Sequence, residues 1–526
     1  MKKYLRTAGS DLPSAIVVLL VALPLCLGIA LGSQAPLFSG IIAGIVGGIV
    51  IGALSGSHLS VSGPAAGLTV IVAGAILKLP SFEAFLLAVV IAGVFQLLLG
   101  FLKAGILGDY VPNSVIKGML AAIGIILILK QFPHLVGYDK DFVGDESFAS
   151  GDENTFTGLF HAFSYFSQGA VLIGGISLLI LIFWEQGFMK KQKLVKYIPG
   201  PLVVVILGVW INEWLKQSYP AIALGTTHLV TLPIAASAQE LWSFVRFPDL
   251  HHINNPLVWS TAVTLAIVAS LETLLGIEAI DKLDPYKRVT PTNRELKAQG
   301  MGNIVSGMLG GLPLTSVIVR SSANFASGAK SKMSTIYHGI LLFVCVAFIP
   351  GVLNMIPLSA LAAILIFTGY KLAKIPLIRE FYNKGWDQFV PFVVTIIAIL
   401  FTDLLIGIVI GLIVGLFYMI RSNFRSSVLV VNDSNKYLVR LRKDVSFLNK
   451  PIVKRKLEEV PENSYVLIDA TRADFIDKDV IDVVNEFLQH AELKNIRVEV
   501  KKSLHKPMHL LFHTPNTVDE LTLEPA

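Results

Sequence analysis

Two stretches of this 526-residue chain put glycine, proline and hydroxyl side chains where long apolar runs would otherwise continue. VSGPAAGLT supplies Ser62, Gly63, Pro64, Ala65, Ala66 and Thr69, and GGLPLTSVIVR supplies Gly310, Gly311, Pro313, Thr315, Ser316, Val317 and Arg320. Glycine and proline interrupt a helix, and a helix that restarts leaves its first N–H groups without intrahelical acceptors. Such an end carries roughly half a positive charge, so two of them facing each other make an anion site. Arg320, about a turn and a half past Thr315, adds a permanent charge near one end. Glu272, in ASLETLLGIEAI, is the other ionisable side chain at mid-run. Its carboxyl group suits a coupling role, neutral when protonated or charged beside a cation or Arg320. Structural alternatives stand beside each of these: simple kinks, hydroxyls used in helix packing, and a fixed Arg320–Glu272 pair.

The elements that must carry these residues belong to a membrane. The chain is 54% apolar and 15% charged, with a mean hydropathy of +0.68, outside the range of soluble domains. Recurrent apolar runs predict about fourteen helical spans, centred near Val21, Gly47, Val70, Val90, Ile125, Leu178, Val205, Ala266, Ile304, Val319, Phe343, Ala363, Thr395 and Val414. Loop charge orients them. Loops after even spans are basic, with Lys190, Lys191, Lys193 and Lys196, then Lys282, Lys287, Arg288, Arg294 and Lys297, then Lys371, Lys374, Arg379 and Lys384. The loop after the fifth span is acidic, with Asp139, Asp141, Asp145, Glu146, Asp152 and Glu153. Both termini are therefore expected in the cytoplasm, with the protein in a bacterial-type cytoplasmic membrane among its lipids.

The broken segments fall in spans three and ten, the same place in two sets of seven, which are inverted relative to each other because seven is odd. Interrupted helices at corresponding positions point to the midplane site of a secondary transporter. Residues 1–430 form this membrane part. From 431 to 526 the texture changes to short β-rich runs, mixed charge and an amphipathic helix, which predicts a small cytoplasmic α/β domain. Cys26 and Cys345 lie within apolar runs and predict neither a disulfide nor a metal site. The formal charge of +6 sits in short loops, not on an aromatic-laced face, so nucleic acid is not an expected partner. No metal-spaced His/Cys cluster, phosphate loop or nucleophile elbow supports an enzyme, and no cofactor is expected.

The chain resembles the SulP family of anion transporters in DLPSAIVVLLVALPLCLGIA, VSGPAAGLT and, most specifically, NRELKAQGMGNIVSGMLGGLPLTSVIVRSSANFASGAKSKMS, with a STAS-like C-terminal domain. The resemblance implies two intertwined seven-span repeats, a core and a gate domain, elevator-like movement and a homodimer. It places a small inorganic anion, of the bicarbonate or sulfate class, among Leu25 and Ile29 of span one, Ser62, Gly63, Ala65 and Ala66 of span three, and Thr315, Ser316, Val317 and Arg320 of span ten. It gives the coupling ion to Glu272 and Thr69. Leu25 follows Pro24 as in members resembling bicarbonate carriers, whereas sodium-coupled members have an aspartate with a threonine one turn later, where this chain has Glu272 and Gly276. Proton coupling or uncoupled exchange is thus expected over sodium. Asp477, Lys478 and Asp479 stand where signalling STAS domains carry a phosphorylatable serine, so no phospho-switch is expected there. Two other classes fit parts of the pattern: a proton-coupled nucleobase or organic-anion permease, and a membrane-tethered sensor with the STAS-like domain as output.

Overall fold

The computed structural model describes residues 7–141, 149–150, 153–190, 198–234, 238–503 and 505–512. Of the charges used to orient the loops, Asp145, Glu146, Asp152, Lys191, Lys193 and Lys196 lie outside these. The chain forms two compact units, Met1–Val414 and Gly415–Ala526. Helices α1 (Ala8–Gly32), α2 (Leu37–Val46), α3 (Thr69–Lys78), α4 (Phe82–Phe101), α5 (Asn113–Val136), α6 (Gln168–Trp184) and α7 (Gly200–Ser218) precede the second series. That series is α8 (Pro256–Leu283), α9 (Thr292–Met308), α10 (Ile318–Ala326), α11 (Met333–Phe348), α12 (Leu358–Leu372), α13 (Trp386–Phe401) and α14 (Leu404–Ser427). Strands β1 (Ser62–Pro64) and β2 (Leu314–Ser316) sit ahead of α3 and α10. Each expected span centre falls within a helix. Among the described residues seven helices are long and apolar enough to cross a membrane, and four shorter ones are apolar. The protein is a multi-pass membrane protein.

Packing sorts the helices into two groups. In one, α4 lies against α8 and α9, and α1 against α2, α10 and α11; in the other, α5 lies against α12 and α13, and α6 against α7 and α12. Lipid gives helices no hydrophobic reason to associate, so small residues that let backbones approach hold each group together. A Cβ on Gly93 of α4 would come 2.6 Å from the Gly300 carbonyl oxygen of α9, and one on Gly300 2.7 Å from that of Gly93. Gly124 and Gly369 make the same reciprocal approach between α5 and α12.

The second unit contains a four-stranded sheet. Strands β3 (Val428–Asp433) and β4 (Lys436–Leu441) form an antiparallel hairpin, and β4, β6 (Tyr465–Asp469) and β8 (Arg497–Lys501) run parallel. A parallel pair, β5 (Lys443–Val445) and β7 (Ala473–Ile476), stands apart from it. Alternate residues Val439, Leu441, Val466 and Ile468 bury one sheet face with Val480, Ile481 and Val484 of the amphipathic helix Lys478–Ala491. Asp477 caps that helix, its carboxylate accepting the Asp479 N–H at 3.0 Å. The small α/β region foreseen in the sequence fits a STAS-like domain.

In the membrane unit, two connectors pass from one helix group to the other, α7 to α8 and α11 to α12, and they brace each other. Leu229 pairs with Pro357, the Val230 N–H donates to the Ile356 carbonyl at 3.0 Å, and the Asn354 amide exchanges two bonds with the Leu232 backbone, at 2.6 and 3.1 Å. Next to this crossing, Asp139 lies 2.6 Å from Nδ1 of both His134, at the end of α5, and His228, in the first connector. The hydrogen bond to Asp139 holds the His228 imidazole above its usual value. Burial pushes the Asp139 carboxyl group up, but its two imidazole hydrogen bonds outweigh this and leave it below the usual range. The His228 contribution is complete below the unfolded histidine value of about 6.5 and is lost as pH rises through the higher folded value; the Asp139 contribution is lost only in strong acid. The expected result is that His228→Gln lowers the unfolding midpoint by on the order of 1–2 °C near pH 6 and by less near pH 9. Thermal unfolding of the detergent-solubilised protein at both pH values checks it; a larger loss at pH 9 would count against the clip.

Candidate functional site

The two broken segments meet. β1 and β2 pair antiparallel, with Ser62 opposite Ser316, Gly63 opposite Thr315 and Pro64 opposite Leu314. Extended backbone at this depth must find all its hydrogen bonds within the protein. Beyond the strand pair, the Val317 N–H donates to the Val61 carbonyl at 3.0 Å, and Ser321 Oγ accepts the Val61 N–H at 2.8 Å. Asn324 Nδ2 donates to the Leu59 carbonyl at 2.9 Å, and Thr335 Oγ1 to the Ser60 carbonyl at 3.1 Å. At Gly310 φ is +88°, a left-handed conformation that favours glycine, and the Arg246 backbone packs against it.

Each strand then turns into a helix start that no side chain caps. Val317 ahead of α10 and Ala65 ahead of the 3₁₀ turn Ala66–Leu68 are both extended residues without capping hydrogen bonds. The first intrahelical bond of α10 is Ser321 N–H to the Val317 carbonyl, so the N–H groups of Ile318, Val319 and Arg320 have no acceptor in their own helix. A small cavity opens here, with about 20 Å³ for the centres of water-sized bodies. One wall is Ala65, Ala66, Glu272, Ser316, Val317 and Ile318; the facing wall is apolar, including Met119 and Ile123 of α5 and Leu405 and Ile408 of α14.

The expected residues separate into three sets. Ala65, Ala66, Ser316, Val317 and Glu272 line the cavity. Ser62, Gly63 and Thr315 lie in the strand pair behind it, and Thr69 is buried at the start of α3 with Oγ1 unbonded. Leu25 and Ile29 are buried on α1, which packs against β1 and α3, but neither lines the cavity. Arg320 is fully buried and does not line it either. Its guanidinium lies against Gly63, donating from Nη2 to the Pro64 carbonyl at 3.4 Å, while Nε and Nη1 find no acceptor. Cys26 and His338 face it, and both imidazole nitrogens of His338 are without hydrogen bonds. Among the described residues no carboxylate forms an ion pair with Arg320. Glu272 packs instead beside Gly67, where an added Cβ would lie 3.1 Å from Oε1. One turn on, a Cβ at Gly276 would fall 2.7 Å from the Ser316 carbonyl oxygen.

A larger crevice of about 570 Å³ lies at the ends of α1, α6, α10 and α12 and the start of α7. Its charged wall is largely self-satisfied, since Lys371 pairs with Glu185 at 2.8 Å.

The roles of several residues in the quoted motif were not foreseen. Glu295, Gln299 and Asn303 of α9, together with Gln96 of α4, are fully or nearly fully buried and bond to the broken strands or to one another. The signal was available: three polar side chains spaced by four in ELKAQGMGN mark one stripe of a helix lying among apolar spans.

A helical membrane unit whose two interrupted helices meet strand to strand at a common cavity defines a transporter of the inverted-repeat class. The sulfate permease family description matches residues 9–399, and the chain belongs to that family. It is 26% identical to a putative sulfate transporter, YvdB, of Bacillus subtilis, over 79% of this chain and 74% of that protein. It is 25% identical to the bicarbonate transporter BicA of Picosynechococcus, over 69% of this chain and 61% of that one. In fold it is similar to the transmembrane domain of a cyanobacterial BicA, with a TM-score of 0.53 at 22% identity over 78% of this chain and 97% of that one. It is also similar to the murine anion transporter Slc26a9 in an inward-facing state, with a TM-score of 0.66 at 15% identity over 96% and 87%.

Because Arg320 Nη1 occupies the space a Cβ on Gly63 would need, Gly63→Ala must displace either the guanidinium or β1. Overpacking of this kind typically costs 1–3 kcal/mol, so the variant is expected to unfold several degrees earlier and to bind anion more weakly. Scanning fluorimetry with and without sulfate or bicarbonate reads both; a fully stable variant would mean the guanidinium has another place to go.

Proposed function

We propose that this anion transporter is a secondary active carrier of a small inorganic oxyanion, of the bicarbonate or sulfate class, bound between the starts of α3 and α10. One observation carries this: two uncapped helix starts converge on a cavity walled by Ala65, Ala66, Ser316 and Val317. An oxyanion would accept hydrogen bonds from those N–H groups and gain from the field of Arg320 behind them. The permanent buried charge favours an anion over an uncharged nucleobase, and paired half-helices have no purpose in a sensor. The cavity is small and faced by an apolar wall, so in this reading the anion enters as that wall moves away. That movement is the elevator step, in which the group bearing α1–α4 and α8–α11 slides along the other. The carrier works as a homodimer in the cytoplasmic membrane with both termini inside, and its STAS-like domain anchors the dimer or regulates turnover.

Glu272 couples transport to a proton. A proton needs only the carboxyl group, whereas a sodium ion needs several oxygen ligands, and the close Ser316 carbonyl leaves no room at Gly276 for the hydroxyl-bearing side chain of sodium-coupled members. Thr69, with its unbonded Oγ1, is the remaining oxygen a sodium site would call on. Proteoliposome uptake of labelled bicarbonate and of labelled sulfate, each under an imposed proton or sodium gradient, tests anion and co-ion together. Glu272→Gln is expected to abolish gradient-driven accumulation while keeping anion exchange, and Arg320→Gln to weaken uptake roughly tenfold without loss of the folded protein. Wild-type uptake that follows sodium at fixed pH would reassign Glu272 and Thr69 to a sodium site, and uptake indifferent to Arg320→Gln would remove that side chain from anion binding.

A further inference from the structure

Helix α9 is the polar member of its group, yet Glu295, Gln299, Asn303 and Ser306 on it are 0–2% exposed. The first three follow one another at intervals of four, and Ser306 continues the same stripe. Each side chain grips a different point on the broken segments. Glu295 Oε2 accepts from Ser55 Oγ at 2.5 Å, ahead of β1. Gln299 Nε2 donates to Ser62 Oγ of β1 at 2.6 Å and to Glu295 Oε1 at 3.2 Å. Asn303 serves β2: Oδ1 accepts the Leu314 N–H at 2.6 Å, and Nδ2 donates to the Leu314 carbonyl at 3.1 Å. Ser306 Oγ donates to the Leu312 carbonyl at 2.7 Å.

A side-chain amide offers one acceptor and paired donors, as a peptide group does. Asn303 thus takes the place of a third strand for Leu314, whose polar backbone groups have no water to turn to. The amide is itself held from outside. Its Nδ2 also donates to Gln96 Oε1 of α4 at 2.6 Å, and Gln96 Nε2 donates to Ser270 Oγ of α8 at 3.3 Å. Gln299 sets β1 and Asn303 sets β2 from one rigid helix, one turn apart.

We propose that Gln299 and Asn303, with Gln96 behind them, are positioning residues for the transported anion: α9 is the template that fixes β1 against β2 so that the N–H groups beginning α3 and α10 converge. They do not touch the anion. The inference rests on the anion site lying between those helix starts. Sites held about 1 Å too loosely lose function even when every group is present, so loss of the template should appear in affinity. It should spare maximal turnover, because none of these three residues lines the cavity or its apolar facing wall.

The test is saturable uptake of labelled sulfate and of labelled bicarbonate by the full chain in proteoliposomes, scored as KM and maximal rate. Asn303→Leu and Gln299→Met are expected to raise KM about tenfold with the maximal rate within about twofold. Since Asn303→Leu strands the Leu314 backbone and can prevent folding, a milder pair carries the test independently. Gln96→Glu still accepts from Asn303 Nδ2 and is expected to stay near the wild-type KM, whereas Gln96→Leu is expected to raise it. A role in filling space predicts the opposite order, because a buried carboxylate is costlier than an apolar side chain. That reversed order, or a fall in maximal rate at constant KM, overturns the proposal. Val317→Trp, which fills the cavity itself, is the control. If it abolishes saturable uptake while the Gln96 and Gln299 variants match the wild type, the template fails and the anion site stands; if it leaves KM unchanged, the site and the template fall together.

Discussion

The structure depends on one constraint: ten or so residues of extended backbone lie where there is no water to hydrogen-bond them. An unbroken helix would meet that demand by itself. Breaking two helices frees the N–H groups on which the proposed anion site depends, and each break also orphans carbonyl and amide groups along Leu59–Pro64 and Gly310–Val317. The molecule satisfies them in three ways. The strands pair with each other; Ser321, Asn324 and Thr335 reach back from α10 and α11; and α9 supplies Asn303 and Ser306. The donors left over belong to the starts of α3 and α10, whose first residues line the cavity of the proposed site. Selective satisfaction defines the site as much as the residues that line it.

Arg320 follows from the same economy. Its guanidinium fits only because residue 63 has no side chain, so Gly63 serves both the strand and the charge. Its guanidinium makes one long hydrogen bond, and among the described residues no carboxylate forms an ion pair with it. A buried cation of this kind raises the affinity of the neighbouring cavity for anything negative, and it acts through the strand by field. Glu272 packs beside Gly67 and lines the cavity.

The broad architecture was legible in the sequence because its signals are strong ones: long apolar runs, two Gly/Pro breaks in register, and a change of composition near residue 430. That the breaks meet as paired strands was not legible, since three-residue strands carry no periodicity. The position of Arg320 was half legible. Its depth follows from its place in the run, but whether it faces the cavity or lies behind β1 is decided by Gly63, 257 residues and many helices away in sequence. Leu25 and Ile29 were drawn in by family resemblance; the structure puts them in the supporting helix α1, off the cavity wall. The α9 stripe was legible and was missed, because a polar helix among apolar ones reads first as a poor span.

The distribution of polar contacts explains how a site can be both rigid and mobile. Among the described residues, side chains of α8, α9, α10 and α11, all within the same helix group as the strands themselves, hydrogen-bond to β1, β2 and their approaches, and Ser60 bonds Ser316 between the two segments. The surface that closes the cavity from the other group offers Met119, Ile123, Leu404, Leu405 and Ile408, which make only dispersion contacts. In the proposed movement, sliding one group along the other would exchange apolar neighbours for apolar neighbours, at little enthalpic cost, and would carry the strand register along unchanged. If even one hydrogen bond to β1 or β2 crossed that boundary, each transport cycle would have to break it in a medium with no water to replace it, at about 1–3 kcal/mol for each buried group left unsatisfied. The separation of polar template from apolar slide is what the proposed movement requires, and it reaches back to the choice of glutamine and asparagine on α9 rather than on α5 or α14.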